Sequence, residues 1–339
     1  MSQPQSTLLR DVSRSFYLTL RVLPARIRPQ IGLAYLLART TDTIADTELV
    51  PFDQRLQALQ RLRERILGHR QAPLDFGEFA RRQGSSAERV LLQQCETSLA
   101  ALQDLAPGDR QLVRDVLGII TSGQELDLRR FSGASAERLV ALQTEEELND
   151  YTYRVAGCVG EFWTRLCRAH LFPGDALDES CLLANGIRFG QGLQLVNILR
   201  DLPADLRQGR CYVPEQALKR QGLNPAELLQ PSAEPRFRPL YRSYLDQAEA
   251  HLRAGWAYTN ALPRRCLRVR LACAWPIQIG METLALLRAG NVLDNRHRLK
   301  VSRARLRRLM LRSLLASPWP AAWQRLVPPI RDSQPATTH

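Results

Sequence analysis

The sequence predicts a single all-α domain whose helices pack around a central cavity. Amphipathic helical periodicity recurs along most of the 339 residues, and no segment has a convincing strand pattern. Leu, Ala, Arg and Gln dominate, while aromatic residues make up only 6%, a composition that favours helices over sheets. The hydrophobic fraction of 45% is enough for one large core or two small ones. We assign residues 1–315 to this domain and residues 316–339 to a partly disordered tail.

Proline and glycine bound the first predicted helices. An amphipathic segment at residues 5–22 stops before Pro24, and Pro29 fits the first turn of a helix that runs to about Asp46. The next segment, DQRLQALQRLRERILG at 53–68, has the pattern of a surface helix that ends at its glycine.

Loop and capping residues place the helices that follow. Residues 70–84 form a loop rich in Gly, Pro and charge, and Ser85 or Ser86 caps a helix that runs to about Leu105. The tripeptide PGD at 107–109 begins the next helix.

The second half of the chain is also predicted to be helical. Thr144 and Glu147 have the spacing of a capping box and open a helix from about 145 to 170. A long helix follows from about 176 to 202. Further helices are predicted at 233–260, 267–290 and 303–315. The final residues, RDSQPATTH, have the composition of a disordered segment.

The net charge of +13 has three interpretations. Nucleic-acid binding is the first, but no signature of a nucleic-acid-binding fold is present and we expect no nucleic-acid partner. The second is an arginine-rich surface on a soluble protein. The third is attraction to an anionic partner, either a polyphosphate substrate or an acidic membrane face.

Cysteine usage and hydropathy predict a cytoplasmic protein. The seven cysteines are odd in number and lack CxxC or zinc-type spacing, which indicates reduced thiols. The N-terminus lacks the apolar core of a secretory signal. No stretch approaches the roughly 20 apolar residues of a transmembrane helix.

A pair of carboxylates ends the apolar segment LLARTTDTIADTE at 36–48. Asp42 and Asp46 are four residues apart and share one helix face, with Arg39 one turn earlier. Two like charges at this spacing destabilise a helix unless a cation binds between them. A solvated helix end would explain such a pair on its own.

A second segment strengthens the interpretation as a metal site. In QLVNILRDLPADLRQGRCYVP, Asn197, Asp201 and Asp205 form one stripe of oxygen ligands, with Gln194 on nearly the same face. Arg200 again stands beside the stripe. Mg²⁺ prefers a few carboxylates combined with water and substrate phosphate, and arginine binds phosphate oxygens in a bidentate manner. Two such faces therefore predict Mg²⁺ bridging to a phosphorylated ligand.

Two further features of these segments bear on the site. Pro203 lies inside the second stripe and predicts a kink that makes the position of Asp205 less certain than that of Asp201. In YTYRVAGCVGEFW at 151–163, the small residues allow close helix packing. Tyr151 fits either a core aromatic or a phenol that donates a hydrogen bond or transfers a proton beside a diphosphate.

Taken together, these segments resemble the squalene/phytoene synthase family, the head-to-head prenyl-diphosphate synthases, over roughly residues 11 to 305. SRSF at 13–16 is similar to the family's N-terminal motif, DTIAD to its first aspartate-rich motif, and NILRDLPAD followed by GRCYVP to its second. YTYRVAGCVG matches the tyrosine motif between them, and GQELDLRR at 123–130 resembles the segment before it.

The resemblance implies an isoprenoid synthase fold with a deep apolar channel. In such a channel, two farnesyl diphosphates would be joined through presqualene diphosphate in the presence of Mg²⁺. Tyr151 would be the acid/base partner of the first half-reaction. The implied metal ligands are Asp42, Asp46, Asn197, Asp201 and Asp205, with the aspartates also catalytic. The implied substrate contacts are Arg39, Arg200, Gln194, Ser13, Phe16 and Tyr35.

The C-terminal third resembles squalene synthases more than plant-type phytoene synthases. CAWPIQIGMETLALLRAGN at 273–291 matches a squalene synthase region, and KVSR at 300–303 resembles a basic stretch that helps to bind NADPH. The resemblance thus implies a bacterial squalene synthase with NADPH held by Lys300, Arg303 and Arg298. Ser302 and Ala272 depart from the family pattern, and both departures concern the reductive step.

Several alternatives stay open at this point. Within the family, these are a presqualene diphosphate synthase and a dehydrosqualene or phytoene synthase, none of which needs a reductant. Outside it, they are a non-catalytic helical scaffold and a nucleic-acid-binding protein.

A basic stretch near the C-terminus has two interpretations, one of which is membrane binding. A solvated basic helix would explain it. The hypothesis is peripheral association with anionic lipid at the inner face of the membrane. The residues concerned are Arg296, Arg298, Lys300, Arg303, Arg305, Arg307, Arg308 and Arg312.

Overall fold

The computed structural model describes residues 3–13, 16–294 and 300–327. Within them the chain is all-α apart from two strands of two residues each, which confirms the predicted fold class. The α-helices are α1 (Gln3–Ser13), α2 (Phe16–Val22), α3 (Arg28–Asp46), α4 (Phe52–Leu67), α5 (Gly77–Arg81), α6 (Ser86–Gln93), α7 (Cys95–Gln103), α8 (Pro107–Arg130), α9 (Glu145–Thr152), α10 (Cys158–Leu171), α11 (Glu179–Arg207), α12 (Glu215–Arg220), α13 (Glu234–Ala261), α14 (Leu267–Ala289), α15 (Arg303–Ala316) and α16 (Pro320–Gln324). A π-helical turn (Tyr153–Gly157) joins α9 to α10, and 3₁₀ turns occur at Pro225–Leu229, Pro231–Ala233 and Arg264–Cys266.

Local signals in the sequence set several helix ends. Pro29 lies in the first turn of α3, and Gly68 ends α4 in the left-handed conformation with φ of 86°. Ser85 caps α6 through its side chain. Thr144 accepts a hydrogen bond from the amide of Glu147 at 3.3 Å and so caps α9 as predicted.

Several predicted helices differ from those observed. The helix expected at 85–105 is divided into α6 and α7 at Gln94, and the helix expected at 145–170 contains the π-helical turn. The segment 5–22 falls into α1 and α2, with residues 14–15 outside the described part of the chain. The predicted tail contains α16, whose Trp323 is buried and stacks on Trp256 with ring centroids 5.4 Å apart. The last residues, RDSQPATTH, lie outside the described residues.

The helix α11 continues through Pro203 to Arg207, so the predicted end near residue 202 is wrong. Proline lacks the amide that would bond to the carbonyl four residues earlier. That carbonyl, of Leu199, accepts a hydrogen bond at 3.0 Å from the hydroxyl of Tyr241 in α13. A donor from a neighbouring helix therefore replaces the missing amide.

Two apolar clusters support the site. The first contains residues of α3, α4, α8 and α10, and the second contains residues of α11, α13 and α14. A short parallel pair joins β1 (Val140–Ala141) to β2 (Arg210–Cys211), which directly follows α11. Among the described residues, no helix combines the length and apolar character that spanning a membrane requires.

Candidate active site

One cavity of about 1500 Å³ collects many of the side chains that the sequence singled out. Its wall includes Arg39, Asp42 and Asp46 from the second half of α3, and Gln194 and Asp205 from α11. The aspartate-bearing ends of α3 and α11 therefore face the same cavity. Both carboxylates of the first pair and Asp205 of the second thus line one cavity.

Burial and neighbouring charges affect both carboxylates of the first pair. Arg39 donates hydrogen bonds to Asp42 and, at 2.5 Å, to Glu88. Burial raises the pKa of Asp42, although the charge of Arg39 opposes this effect. Burial and the nearby charge of Asp42 raise the pKa of Asp46 to about 7. Asp46 is exposed and lines the cavity, where the surrounding protein removes part of its hydration.

The second carboxylate pair also has an arginine beside it. Arg200 donates two hydrogen bonds to Asp201, at 3.0 and 2.5 Å. Burial and the charge of Asp201 raise the pKa of Asp205 to about 7. The amide of Asn197 donates to Gln194 at 3.5 Å. Gln194 and Asp205 line the cavity wall, whereas Asn197, Arg200 and Asp201 do not.

Two residues that the analysis of spacing missed lie between the pairs. Asp127 of α8 and Arg210 of β2 both line the cavity, and both shift the pKa values of Asp46 and Asp205. Asp127 itself has its pKa raised to about 6 by burial. Neither residue lies four positions from an aspartate of either pair, so the spacing argument could not identify them. Both do lie in segments that resemble family motifs, GQELDLRR and GRCYVP, which was the available signal.

Tyr151 belongs to an aromatic group at the cavity wall. Its ring stacks on Tyr212 with centroids 4.7 Å apart, and Phe131 meets Tyr212 edge-on at 5.1 Å. The hydroxyl of Tyr212 donates to Asp127 at 2.9 Å. Burial, and then the charge of Asp127, raises the pKa of Tyr151 far above its usual range, which keeps the phenol protonated. The π-helical turn after α9 begins within two residues of Tyr151, and such turns are frequent at functional sites.

The remaining predicted positions divide into three groups. Ser13 and Tyr35 line the cavity, and the buried hydroxyl of Ser13 has no hydrogen-bond partner in the described part of the chain. Lys300, which precedes α15, and Arg303, its first residue, are exposed and do not belong to the cavity wall. Two predicted positions fall outside the described residues: the side chain of Phe16, and Arg298.

The donor set of the cavity suits Mg²⁺. In residues 3–13, 16–294 and 300–327, no three acidic, histidine or cysteine side chains converge as a ready-made metal cage. The carboxylates instead occur in pairs, and the pKa values of Asp42, Asp46 and Asp205 are raised, so a nearby cation would relieve the repulsion within each pair. Mg²⁺ is usually bound by one or two carboxylates together with water and substrate phosphate. The residues present therefore fit Mg²⁺ that arrives with a phosphorylated ligand.

Known proteins have sequences similar to this chain, although the chain spans less than two thirds of the length of several of them. The family model described as Squalene/phytoene synthase matches residues 9–305. The chain is 25% identical over 280 residues to the squalene synthase of Saccharomyces cerevisiae, covering 83% of this chain and 60% of that protein. It is 30% identical over 256 residues to the 15-cis-phytoene synthase of Synechocystis, covering 74% and 67%. Against a bifunctional lycopene cyclase/phytoene synthase of Arthroderma gypseum, the match covers only 39% of the relative.

Solved structures show the same fold. A complex of TcSQS with the ligand E5700 has a TM-score of 0.77 at 21% identity, covering 96% of this chain and 88% of that one. A dehydrosqualene synthase complex has a TM-score of 0.64 at 23% identity, covering 93% and 96%. These likenesses confirm the isoprenoid synthase fold. The extent of the family match means that this chain belongs to the squalene/phytoene synthase family of head-to-head prenyltransferases.

Proposed function

We propose that the chain is a squalene synthase that joins two farnesyl diphosphates through presqualene diphosphate and reduces the product with NADPH. The observation that carries this proposal is the single cavity of about 1500 Å³, with carboxylates and arginines on part of its wall and apolar side chains on the rest. Pockets for one small ligand usually occupy about 300–1,000 Å³. A larger cavity of mixed character suits two chains that each carry a diphosphate.

The polar part of the cavity would bind the diphosphate groups. Asp42, Asp46 and Asp205 on the cavity wall, with Asp201 and Asn197 on the same helix as Asp205, would hold Mg²⁺, which would supply a Lewis acid for the leaving diphosphate. The guanidinium groups of Arg39 and Arg200 would bind phosphate oxygens in place of their present carboxylate partners. Gln194 would orient Asn197, to which it is hydrogen-bonded.

Residues of the aromatic group would donate hydrogen bonds or transfer protons beside the departing diphosphate. Tyr151 stays protonated at neutral pH and can donate a hydrogen bond to the leaving oxygen. Asp127, with a pKa of about 6, is able to exchange a proton near neutrality, and Tyr212 links it to the stack that contains Tyr151. Tyr151 is therefore the residue that we assign to acid/base work.

Apolar side chains would protect the carbocation. Ile120, Val155, Val159 and Phe131 line the same cavity as the carboxylates. A wall of this kind excludes water that would otherwise quench a cation, and aromatic faces attract positive charge.

The alternative candidate, a synthase that uses no NADPH, differs from the proposal in the reductive step. Lys300 and Arg303 are exposed and have no carboxylate partner within the described residues, so their charges are available for the phosphates of NADPH. They nevertheless stand apart from the cavity wall, and several relatives carry the name phytoene synthase. A synthase that stops at presqualene diphosphate, or makes dehydrosqualene or phytoene without a reductant, is the second candidate.

Product analysis separates the candidates. The purified chain would be incubated with Mg²⁺ and either farnesyl or geranylgeranyl diphosphate, with and without NADPH, and the products identified by mass spectrometry. We expect presqualene diphosphate from farnesyl diphosphate without NADPH, and squalene with it. Dehydrosqualene, or phytoene from the longer substrate, would contradict the proposal in favour of the non-reductive candidate.

A further inference from the structure

The helix α15 has apolar residues on two opposite faces. Leu309, Ser313 and Ala316 are buried on the inner face, where Gln278 of α14 donates a hydrogen bond to Ser313 at 2.8 Å. On the outside, Leu311, Leu314 and Leu315 are 57%, 48% and 67% exposed, and Trp319 just beyond the helix is 68% exposed. We call these last four residues the outer apolar surface.

The position of the outer apolar surface follows from helix geometry. Each residue of an α-helix advances the side-chain direction by about 100°. Leu311, Leu314 and Leu315 therefore fall within an arc of about 100° that is centred opposite the buried face. The buried face makes the contact of α15 with α14, so about half or more of each outer leucine remains exposed.

Unpaired arginines surround the outer apolar surface. Arg305 is bound to Glu282 by two hydrogen bonds, at 3.1 and 2.6 Å. In contrast, Arg307, Arg308 and Arg312 are exposed and have no carboxylate within salt-bridge distance among the residues that the structure describes. Arg307 and Arg308 project from the outer half of the helix, one turn before the leucines.

We propose that this part of α15, together with Trp319, docks on an anionic lipid surface. The leucines and the tryptophan would enter the boundary between headgroups and acyl chains, and the arginines would bind lipid phosphates. Charge complementarity favours this partner, since the chain carries a net charge of +13. A second copy of the chain would bring like-charged arginines together, and a nucleic acid would leave the leucines in water.

The proposal goes beyond the assigned reaction and does not depend on its product. Its test is binding of the full chain to vesicles of phosphatidylcholine with and without phosphatidylglycerol, measured by flotation at low and high salt. We expect binding that requires the anionic lipid and falls as salt rises. Equal binding to both kinds of vesicle, or binding to neither, would overturn it.

Matched variants test the two components of the surface separately. Arg307→Gln with Arg308→Gln should weaken binding about 30-fold. Arg61→Gln with Arg242→Gln makes the same charge change at exposed positions elsewhere and should have a much smaller effect. Leu311→Ser with Leu315→Ser should weaken binding at least about tenfold, whereas Val90→Ser with Leu229→Ser, at other exposed apolar positions, should not. Equal losses in a test pair and its control pair would contradict the assignment of this surface.

Tryptophan fluorescence reports insertion directly. Of the five tryptophans, Trp319 is the one with a largely exposed side chain, so vesicle binding should shift emission to the blue. Trp319→Phe should abolish that shift while the protein still binds. A concentration-dependent dimer that forms without vesicles and is lost in Leu311→Ser with Leu315→Ser would assign the surface to self-association instead. Turnover of farnesyl diphosphate without vesicles is a separate measurement, which keeps the two proposals distinguishable.

Discussion

Tyr212→Phe should destabilise the protein in a pH-dependent way. The hydroxyl of Tyr212 is the hydrogen-bond donor to Asp127, at 2.9 Å, and the ring is buried. The second carboxylate oxygen of Asp127 is buried with no hydrogen-bond partner among the described residues. Removing the hydroxyl therefore leaves a buried carboxylate without a hydrogen-bond donor in the part of the chain that the structure describes.

The size and sign of the effect follow from the pKa of Asp127. Its pKa is about 6 in the folded protein and 3.8 ordinarily, so the folded state holds a proton that the unfolded chain releases between these values. The free energy of unfolding thus falls as pH rises through this window. A hydrogen bond to a charged group contributes about 1.5–3 kcal/mol, so its loss raises the folded pKa further by about one to two units. The hydrogen bond from Tyr212 stabilises the ionised carboxylate. The loss of that stabilisation in Tyr212→Phe should therefore appear only at pH values above the pKa of wild-type Asp127.

Denaturant unfolding checks this prediction. Wild type and variant would be compared near pH 5 and pH 8, with a chelator present, and the additional loss at the higher pH should be about 1.5–3 kcal/mol. Tyr241→Phe is the matched control, because its buried hydroxyl donates to a backbone carbonyl that does not titrate. Its effect should be the same at both pH values. Equal destabilisation of Tyr212→Phe at both pH values would refute the reasoning.

Three further predictions concern the reaction. Asp42→Asn or Asp201→Asn should leave the protein folded but lower turnover by several orders of magnitude, measured as diphosphate release, because the leaving group loses its electrophile. Mg²⁺ affinity, measured calorimetrically with an unreactive diphosphate, should rise with pH up to about 7 and then level off, since the Asp205 carboxyl must lose its proton to bind metal. Lys300→Ala or Arg303→Ala should leave presqualene diphosphate formation intact and slow only the NADPH-dependent step.

Each of these predictions has a result that would contradict it, and the first also has a control variant. Asp104→Asn removes an exposed carboxylate outside the cavity wall and should turn over normally. Near-normal diphosphate release from either folded site variant would remove the metal assignment. Mg²⁺ affinity that is flat between pH 5 and pH 8 would contradict the raised pKa. Equal slowing of both half-reactions by the basic-residue variants would separate Lys300 and Arg303 from NADPH.

Local chemistry explains why much of the fold could be predicted. A cap such as Thr144, a first-turn proline such as Pro29 and a left-handed glycine such as Gly68 act within a few residues, so the sequence carries the whole signal. The two aspartate pairs are visible for the same reason, because a four-residue spacing fixes a shared helix face. Asp127 and Arg210 reach the cavity only through the packing of α8 and β2, and no spacing rule connects them with either pair.

Pro203 is the position where local reasoning gave the wrong answer. A proline inside a helix normally breaks or kinks it, which led to a predicted end near residue 202. The donor that compensates, the hydroxyl of Tyr241, comes from α13 and is 42 residues away from Leu199 in sequence. The second aspartate motif thus stays on one continuous helix because of a tertiary contact that has no local signature.

This explanation predicts a specific coupling between Tyr241 and Pro203. In the Pro203→Ala background, the backbone amide of residue 203 is restored and can donate a hydrogen bond to the Leu199 carbonyl. That carbonyl then no longer depends on the hydroxyl of Tyr241 for its hydrogen bond. Tyr241→Phe should destabilise the wild-type background by about 1–3 kcal/mol and the Pro203→Ala background by at least about 1 kcal/mol less, measured by denaturant unfolding of the four proteins. Tyr258→Phe, at a buried tyrosine whose hydroxyl pairs with Thr164 at 3.2 Å, should cost the same in both backgrounds. If Tyr241→Phe also costs the same in both, the continuity of α11 has another cause.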